Sequence, residues 1–323
     1  MAKKLPKIVR EIISSPPKEM NFAKDKNVSF SQISIFNQCP HRWKLQYKDK
    51  IKTFNSSIHT VFGTAIHEVI QNYLTVMYNE SKVKANRIDL EESFKDKFRE
   101  EYLTQYKKND NNHFSSSEEM REFYEDGVEI LNFLKKKVNA YFSKRGWHLV
   151  GIELPILQAP VKIKSNILYM GFLDVVLYNE NSDTFEIIDI KTSTRGWNDK
   201  VKKDELKQYQ LILYKKYFSE QYGIPLDKID IKFFIVKRKI WENSKYNIGR
   251  IQEFRPPSGK IKLGRATKFV NNFINEVFST DGLIRDMKYP KQVGQWNCRF
   301  CPFGEDEEHC GAGKKFFRNY VIF

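Results

Sequence analysis

Residues 184–193 read TFEIIDIKTS, a stretch rich in β-branched and aromatic residues that predicts a strand. Because side chains alternate along a strand, Asp189 and Lys191 are expected to project from the same face. A carboxylate able to bind a divalent metal would then lie beside an ammonium that orients water and offsets phosphate charge. A structural ion pair at a sheet edge is the commoner meaning of an isolated D-x-K, so the neighbouring segments have to decide.

The segments on both sides of this strand predict an α/β core. WHLVGIELPILQAP (147–160) and VKIKSNILYMGFLDVVLY (161–178) precede it, with the short apolar runs and turn residues of strands and hairpins. DELKQYQLILYKKYFSEQYG (204–223) predicts a helix after it, and IDIKFFIVKRKIW (229–241) predicts a further strand. This order indicates a mixed sheet flanked by helices.

The upstream part of the chain predicts an added helical region. SFSQISIFNQCPHRWKLQY (29–47) and FGTAIHEVIQNYLTVMY (62–78) repeat apolar residues at helical spacing. A third helix is expected from Ser116 to Phe142, because Ser116 and Glu119 have the spacing of a capping box. Residues 1–27 are rich in Lys and Pro and are expected to form an irregular lead-in.

Composition favours a folded protein with a polyanionic partner. The 323 residues are 41% hydrophobic and 14% aromatic, which excludes a disordered chain. The 55 Lys and Arg exceed the 40 Asp and Glu by 15, which favours phosphate binding, although a merely basic protein is the alternative. No apolar run reaches the roughly 20 residues that span a bilayer, so we expect a cytoplasmic protein without membrane contact. The richness in Lys, Asn and Ile is compatible with an AT-rich genome, such as that of a phage.

Two further positions could complete a metal site around the D-x-K pair. Asp174 lies in MGFLDVVLY, where an ionised carboxylate among apolar neighbours is costly unless it is paired or metal-bound. Together with Asp189 it would make a cradle for a hard cation such as Mg²⁺ or Mn²⁺. His67 is the other candidate, although a lone histidine on an apolar helix is more often packed than ligating. Gln71 stands where the HExxH zinc-protease motif needs its second histidine, so that interpretation fails.

The order of these pieces resembles the RecB-type branch of the PD-(D/E)XK nuclease superfamily, which includes the AddB nuclease domain and the CRISPR-associated adaptation exonucleases. The resemblance covers roughly residues 29–310. Its matching motifs are GTAIH ending at His67, GFLD ending at Asp174, EIIDIKT with Asp189 and Lys191, and QLILY from Gln210 to Tyr214. Four motifs in order are far more specific than any one of them.

The resemblance implies a role for each of these residues. It implies four metal ligands, the last through its backbone carbonyl: His67, Asp174, Asp189 and Ile190. Lys191 would position the attacking water, and Gln210 with Tyr214 would hold the site or the nucleic-acid strand. The implied reaction is hydrolysis of a phosphodiester bond. Glu153 matches an acidic position often found in relatives, where it either touches the metal or supports Lys191.

The cysteines predict a second metal site. Cys298 and Cys301 form CRFC, Cys310 follows, and Cys39 lies far upstream in NQCPHRW. In a reducing compartment, four thiolates in this grouping suit an iron–sulfur cluster or zinc better than disulfides. The resemblance favours a [4Fe-4S] cluster that ties the two ends of the nuclease region together. The gap before Cys310 is longer than the spacing usual in the family and contains EDEEH, so His309 could compete as a ligand of a zinc site.

These predictions divide the chain into four segments of one integrated nuclease domain. They are an N-terminal arm (1–28), a helical region with Cys39 and His67 (29–145), an α/β core (146–297) and a C-terminal metal-cluster segment (298–323). Basic and aromatic residues could line a groove for a DNA backbone, although solvated faces are the alternative. The basic members are Lys202, Lys203, Lys207, Lys237, Arg238, Lys239, Arg265 and Lys268, and the aromatic members are Trp197, Phe234 and Trp241.

Two functional hypotheses follow. The first is an active exonuclease of DNA replication, recombination or repair, acting on single-stranded DNA or DNA ends. The second is a DNA-binding or scaffold subunit that keeps the fold and the cluster but does not cut. Intact Asp174, Asp189 and Lys191 favour the first. The sequence contains no motor motif, so unwinding would require a helicase partner.

Overall fold

A computed structural model describes residues 5–15, 17–54, 56–240 and 249–317. The strands are β1 (Lys26–Val28), β2 (Trp147–Gln158), β3 (Ile167–Asn179), β4 (Thr184–Ser193), β5 (Ile229–Lys237) and β6 (Ile251–Phe254). The helices are α1 (Lys7–Ser14), α2 (Phe30–Gln38), α3 (Pro40–Trp43), α4 (Ile58–Asn79), α5 (Lys82–Asn86), α6 (Leu90–Lys108), α7 (Ser117–Tyr141), α8 (Asp199–Lys203), α9 (Glu205–Tyr222), α10 (Lys260–Val277), α11 (Gln295–Cys298) and α12 (Lys314–Phe317). A π-helical turn, Lys44–Lys48, follows α3, and 3₁₀ turns cover Lys162–Lys164 and Leu226–Lys228.

The chain forms two compact units. The first consists of Met1–Lys18, Ser56–Ile156 and Phe172–Gly264, and the second of Glu19–Asn55, Leu157–Gly171 and Arg265–Phe323. Both units are therefore assembled from separate stretches of chain. The four segments predicted from the sequence stay a prediction.

A mixed sheet forms the framework of the first unit. The end of β3 pairs antiparallel with β4. Strand β4 pairs in parallel with the whole of β5, and β5 pairs antiparallel with β6. β2 pairs with β3. Helices α4, α6 and α7 bury their apolar faces against each other and against residues of β3, β4 and β5 such as Val175, Ile188 and Phe234. This arrangement confirms the predicted mixed sheet flanked by helices.

Local signals explain where the main helices of this unit begin. Ser57 caps α4 by accepting a hydrogen bond from the Thr60 backbone N–H. Ser116 caps α7 by accepting one from the Glu119 N–H, so the predicted start of this helix is confirmed. The Glu119 side chain accepts a hydrogen bond from the Ser115 hydroxyl.

The second unit has its own small core. Phe36, Trp43 and Phe273 pack edge to face, and Tyr289 stacks on Trp43. The Lys164 ammonium is buried and donates hydrogen bonds to three carbonyls at the end of α10, those of Ile274, Asn275 and Phe278. A long cationic side chain thus lies at the C-terminus of a helix, where the helix dipole favours positive charge.

Some elements differ from the prediction or were missed. The lead-in expected to be irregular contains α1, because Val9 and Ile12 are spaced three apart and both are buried. Helix α6 was not predicted, although Asp89 caps it and its buried aromatic residues recur every four positions. β1, β6 and α10 were missed as well. None of the helices in the described part of the chain combines the length and the apolar character needed to cross a bilayer.

Candidate active site

Strand β4 carries Asp189 and Lys191 on one face, as the alternation of strand side chains predicted. Lys191 Nζ lies 2.8 Å from Asp189 Oδ2. Asp189 is only 1% exposed, whereas a third of the Lys191 side chain is accessible to solvent. The contact is a close ion pair, and Asp189 Oδ2 has no hydrogen-bond partner besides Lys191 among the described residues. A buried carboxylate oxygen of this kind has unused capacity to bind a cation.

Asp174 reaches the same place from the neighbouring strand. The pairing of β3 with β4 begins one residue later, at Val175 opposite Ile188. Asp174 Oδ2 accepts a hydrogen bond of 2.7 Å from the Ile190 backbone N–H. The two carboxylates of the predicted cradle are therefore held on adjacent strands of one sheet.

His67 comes to this cluster from helix α4. Its Nδ1 atom lies 3.7 Å from Asp174 Oδ2. Gly63, one turn earlier, faces strand β4, and a Cβ atom at this position would lie 3.3 Å from the Thr192 hydroxyl oxygen. The missing side chain at position 63 therefore lets the helix approach the strand closely enough for His67 to reach the carboxylates.

Helix α9 supplies Gln210 and Tyr214 from the other direction. Lys191 Nζ donates a hydrogen bond of 3.2 Å to Gln210 Oε1. Gln210 Nε2 in turn donates one of 3.0 Å to the Tyr214 hydroxyl oxygen. The helix face that carries these two residues is thus directed toward Asp189 and Lys191, which was one of the two possibilities given by the sequence.

Two more residues, Glu153 and Gln71, belong to the site, and Glu153 has an unusual backbone conformation. Glu153, in the middle of β2, has a φ of 48°, a left-handed conformation that non-glycine residues rarely adopt. Its carboxylate accepts a hydrogen bond of 2.6 Å from Gln71 Nε2, which also donates one of 3.2 Å to the Asp174 carbonyl. Gln71 was not predicted as a site residue, although its position four residues after His67 puts both on one helix face.

The electrostatics of the cluster show an excess of negative charge. Burial raises the pKa of Asp174 well above its ordinary value, and the Asp189 carboxylate raises it further. Burial also raises the pKa of Asp189, against the lowering effect of Lys191. Burial alone would lower the pKa of Lys191, but Asp189 and Asp174 outweigh it and the pKa is raised. One ammonium therefore compensates these carboxylates only in part, which is the setting in which a cation binds favourably.

His67 is neutral at physiological pH. Burial lowers its pKa to about 4, and the nearby Lys191 ammonium contributes to this shift. A neutral imidazole keeps a lone pair for a metal or a hydrogen-bond donor. The donor set of one imidazole, two carboxylates and the Ile190 backbone fits a divalent cation such as Mg²⁺ or Mn²⁺. No group of three or more His, Cys, Asp or Glu side chains among the described residues is already spaced to hold a metal ion.

Of the aromatic residues proposed to stack bases beside this site, one is fully buried and one is half-buried. Phe234 is completely buried, so this part of the prediction is wrong. Trp197 packs on Phe233, and its backbone exchanges hydrogen bonds with the Gln252 side chain. Trp241 lies outside the described residues.

Part of the predicted basic groove is also wrong. Arg238 and Lys239 form ion pairs with Glu122 and Asp126 on α7, so their charges are already compensated. Lys237 is buried, and burial lowers its pKa. Four members of the predicted set are exposed, namely Lys203, Lys207, Arg265 and Lys268.

The four cysteines lie around one cavity of the second unit. All are free of disulfides, the cavity is small, about 20 Å³, and no three of the cysteines are already spaced to hold a metal ion in the described part of the chain. Burial raises the pKa of the Cys301 thiol, while the Arg42 guanidinium opposes this effect. His309 does not line the cavity, and its Nδ1 atom lies 2.6 Å from Asp306 Oδ2.

One comparison with known proteins gives a match. A family model described as the PD-(D/E)XK nuclease superfamily matches residues 27–305. The match includes the whole cluster around Asp189 and three of the four cysteines, and it ends before Cys310. No curated protein matches the chain.

Proposed function

Because this chain belongs to the PD-(D/E)XK nuclease superfamily, we propose that it is a metal-dependent DNA exonuclease of replication, recombination or repair. The single observation that carries the proposal is the convergence of Asp174, Asp189 and Lys191 in one partly solvent-accessible cluster. The RecB-type motif order supports an exonuclease within the superfamily. Such an enzyme would act in the cytoplasm and would take ends or single strands from a partner helicase.

The residues of the site divide the work of phosphodiester hydrolysis. A divalent cation held by His67, Asp174, Asp189 and the Ile190 carbonyl would offset the charge that develops on the scissile phosphate. Lys191 is held by Gln210 with its ammonium directed to the carboxylates, where it can orient the attacking water. Tyr214 fixes Gln210 and thereby restricts the movement of Lys191.

Glu153 has a supporting place in this proposal. The hydrogen bond from Gln71 directs its carboxylate toward the site. Its charge contributes to the raised pKa of Asp174, which requires the two groups to be near each other. A third carboxylate would help to hold a water molecule or a cation beside the scissile phosphate.

The catalytic proposal is tested with Lys191→Met and a matched variant, Lys232→Met. Both lysines are ion-paired on adjacent strands, but Lys232 contacts Glu186 and Glu253 outside the site. With Mg²⁺ or Mn²⁺ and end-labelled linear DNA, we expect Lys191→Met to cut at least about 100-fold more slowly. Lys232→Met should keep its activity per folded molecule, as judged by thermal melting.

Two outcomes would reject this function. Undiminished cleavage by Lys191→Met would remove the proposed mechanism. Wild-type protein that binds DNA but never cuts it would favour the second hypothesis, a catalytically silent DNA-binding or scaffold subunit. Linear and covalently closed circular DNA should be compared in the same assay, because an exonuclease leaves the circle intact.

We also propose that Cys39, Cys298, Cys301 and Cys310 hold a [4Fe-4S] cluster. Four free thiols around one cavity, with a guanidinium close to Cys301, suit an anionic iron–sulfur centre. Zinc is the alternative, but His309 already pairs with Asp306 and is absent from the cavity lining. Anaerobic purification followed by a visible spectrum and elemental analysis distinguishes iron from stoichiometric zinc.

A further inference from the structure

Two large aromatic side chains are exposed beside the cysteine cavity. Trp296 is 79% exposed and Phe300 is 72% exposed. Most large aromatic residues bury the greater part of their surface, so two such side chains within five residues require an explanation. Both belong to the second unit, and they are one helical turn apart, on α11 and the turn that follows it.

Cys298 and Asn297, which lie between the two rings in the sequence, anchor this turn to the rest of the second unit. Cys298 is buried at the cavity, and its backbone N–H donates a hydrogen bond of 2.9 Å to the Gly294 carbonyl. The Asn297 side chain donates one of 3.1 Å to the Gln292 carbonyl. These hydrogen bonds order the backbone between Trp296 and Phe300, which lowers the entropy cost of presenting both rings to a ligand.

The short stretch of sequence that carries the rings is basic. Residues 287–304 contain Lys288, Lys291 and Arg299 and no Asp or Glu. The Arg299 guanidinium lies 5.2 Å from the centre of the Phe300 ring, within the range of a cation–π contact. In the acidic run that follows, Asp306 pairs with His309 and Glu307 pairs with Lys314, and the other two acids, Glu305 and Glu308, are exposed.

We propose that Trp296, Phe300 and Arg299 form a stacking platform for the bases of single-stranded DNA. Exposed aromatic rings interleaved with cationic side chains bind single strands because every base offers a π face while the phosphates meet positive charge. The platform goes beyond the cleavage chemistry and rests on the proposed function only for the choice of DNA as ligand. It also supplies aromatic contacts that the buried Phe234 cannot provide.

The test separates base stacking from charge. Fluorescence anisotropy is measured without added divalent metal on labelled oligothymidylate of about 16 nucleotides and on an abasic oligonucleotide of the same length. The wild type should bind the thymidylate about tenfold or more tightly than the abasic strand. The double variant Trp296→Ala/Phe300→Ala should bind both strands equally, with its affinity for the abasic strand unchanged.

Two control variants accompany the double variant. Phe22 is another exposed aromatic residue of the second unit, 87% exposed, and Phe22→Ala should leave the preference for bases intact. Trp296→Phe keeps a ring and should retain most of the preference. Thermal melting of each variant checks that the removal of these surface rings leaves the fold in place.

The possible results are distinct from those of the cleavage assay. A double variant that still prefers bases, or a wild type that binds both strands equally, would overturn the platform. A change in oligomeric state with the preference intact would make the surface a protein contact and overturn it as well. Wild-type protein that prefers bases but does not cleave would reject the nuclease function while leaving the platform in place.

Discussion

Glu153 shows how much of the site depends on single residues. A left-handed backbone at a non-glycine residue costs about 1 kcal/mol or more and persists only where neighbouring contacts maintain it. Here the φ of 48° is accompanied by the 2.6 Å hydrogen bond from Gln71, a polar residue that is only 6% exposed. The conformation directs a third carboxylate toward the Asp174 cluster, where like charges repel in the absence of a cation.

The buried neutral imidazole of His67 predicts a loss of stability in acid. Its pKa is about 4 in the folded protein, below the ordinary 6.5 that applies in the unfolded chain. As the pH falls from 6.5 to 4, His67 is protonated in the unfolded chain but stays neutral in the folded protein. The free energy of unfolding should therefore decrease by up to about 3 kcal/mol. Urea unfolding of the metal-free protein at pH 7 and pH 4.5 measures this effect.

His67→Asn is the control for this prediction. The variant lacks the titrating ring, so its stability should fall less between pH 7 and pH 4.5 than that of the wild type. Equal losses in the two proteins would show that His67 does not carry the effect. Chelator in both samples keeps divalent cations from competing with the proton.

At the scale of elements, close approaches between helices and strands position the site. Helix α4 contacts β4 near Gly63, and α9 packs on β4 and β5. Behind this layer, α6 and α7 cross where Gly127 lies against the Phe94 ring. Each of the two glycine contacts depends on the absence of a side chain, because packed interiors have no room for an added methyl group.

Gly127→Ala should destabilise the protein although alanine favours helices. A Cβ atom at Gly127 would lie 2.2 Å from the Phe94 ring, and relieving this overlap should cost about 1–3 kcal/mol. Gly264 is the matched control, because it lies in helix α10 and a Cβ atom added there would have no other atom within 4 Å. Gly264→Ala should stabilise by about 0.5–1 kcal/mol. Thermal melting that gives the same sign for both would contradict the packing argument.

At the scale of the whole molecule, the two predicted metal sites belong to different units. The cluster around Asp189 lies in the first unit, and all four cysteines lie in the second. About 260 residues of chain separate Cys39 from Cys298. A metal centre bound by both would close this loop and restrict the unfolded chain, which stabilises the folded state.

Removal of the cysteine-bound metal should therefore lower the melting temperature. By analogy with other cross-links that close long loops, we expect a decrease on the order of 5–10 °C when an iron chelator is added to reduced wild-type protein. Cys39→Ser should melt at the lower temperature from the start and should not respond to the chelator. A wild type whose melting is indifferent to metal removal would contradict the structural role of the cluster.

Local periodicity made much of the fold predictable. β4 has the bounds expected for TFEIIDIKTS, Thr184–Ser193, and α7 begins after the Ser116 cap that the capping-box spacing indicated. Both signals act over a few residues, so no knowledge of distant contacts was needed. α6 was missed because its apolar stripe is narrow and most of its residues are charged or polar.

The sequence by itself determined the fold class, the shared face of Asp189 and Lys191 and the closeness of Cys298 to Cys301, because alternation and short spacings are local properties of the chain. Only the tertiary structure decided which charges and rings are available. The charge of Arg238 is compensated by Asp126, which is 112 residues away in the sequence, and Phe234 is buried beneath the helices that cover its sheet. Exposure and charge compensation depend on contacts between residues that are far apart in the sequence, and no short sequence pattern specifies those contacts.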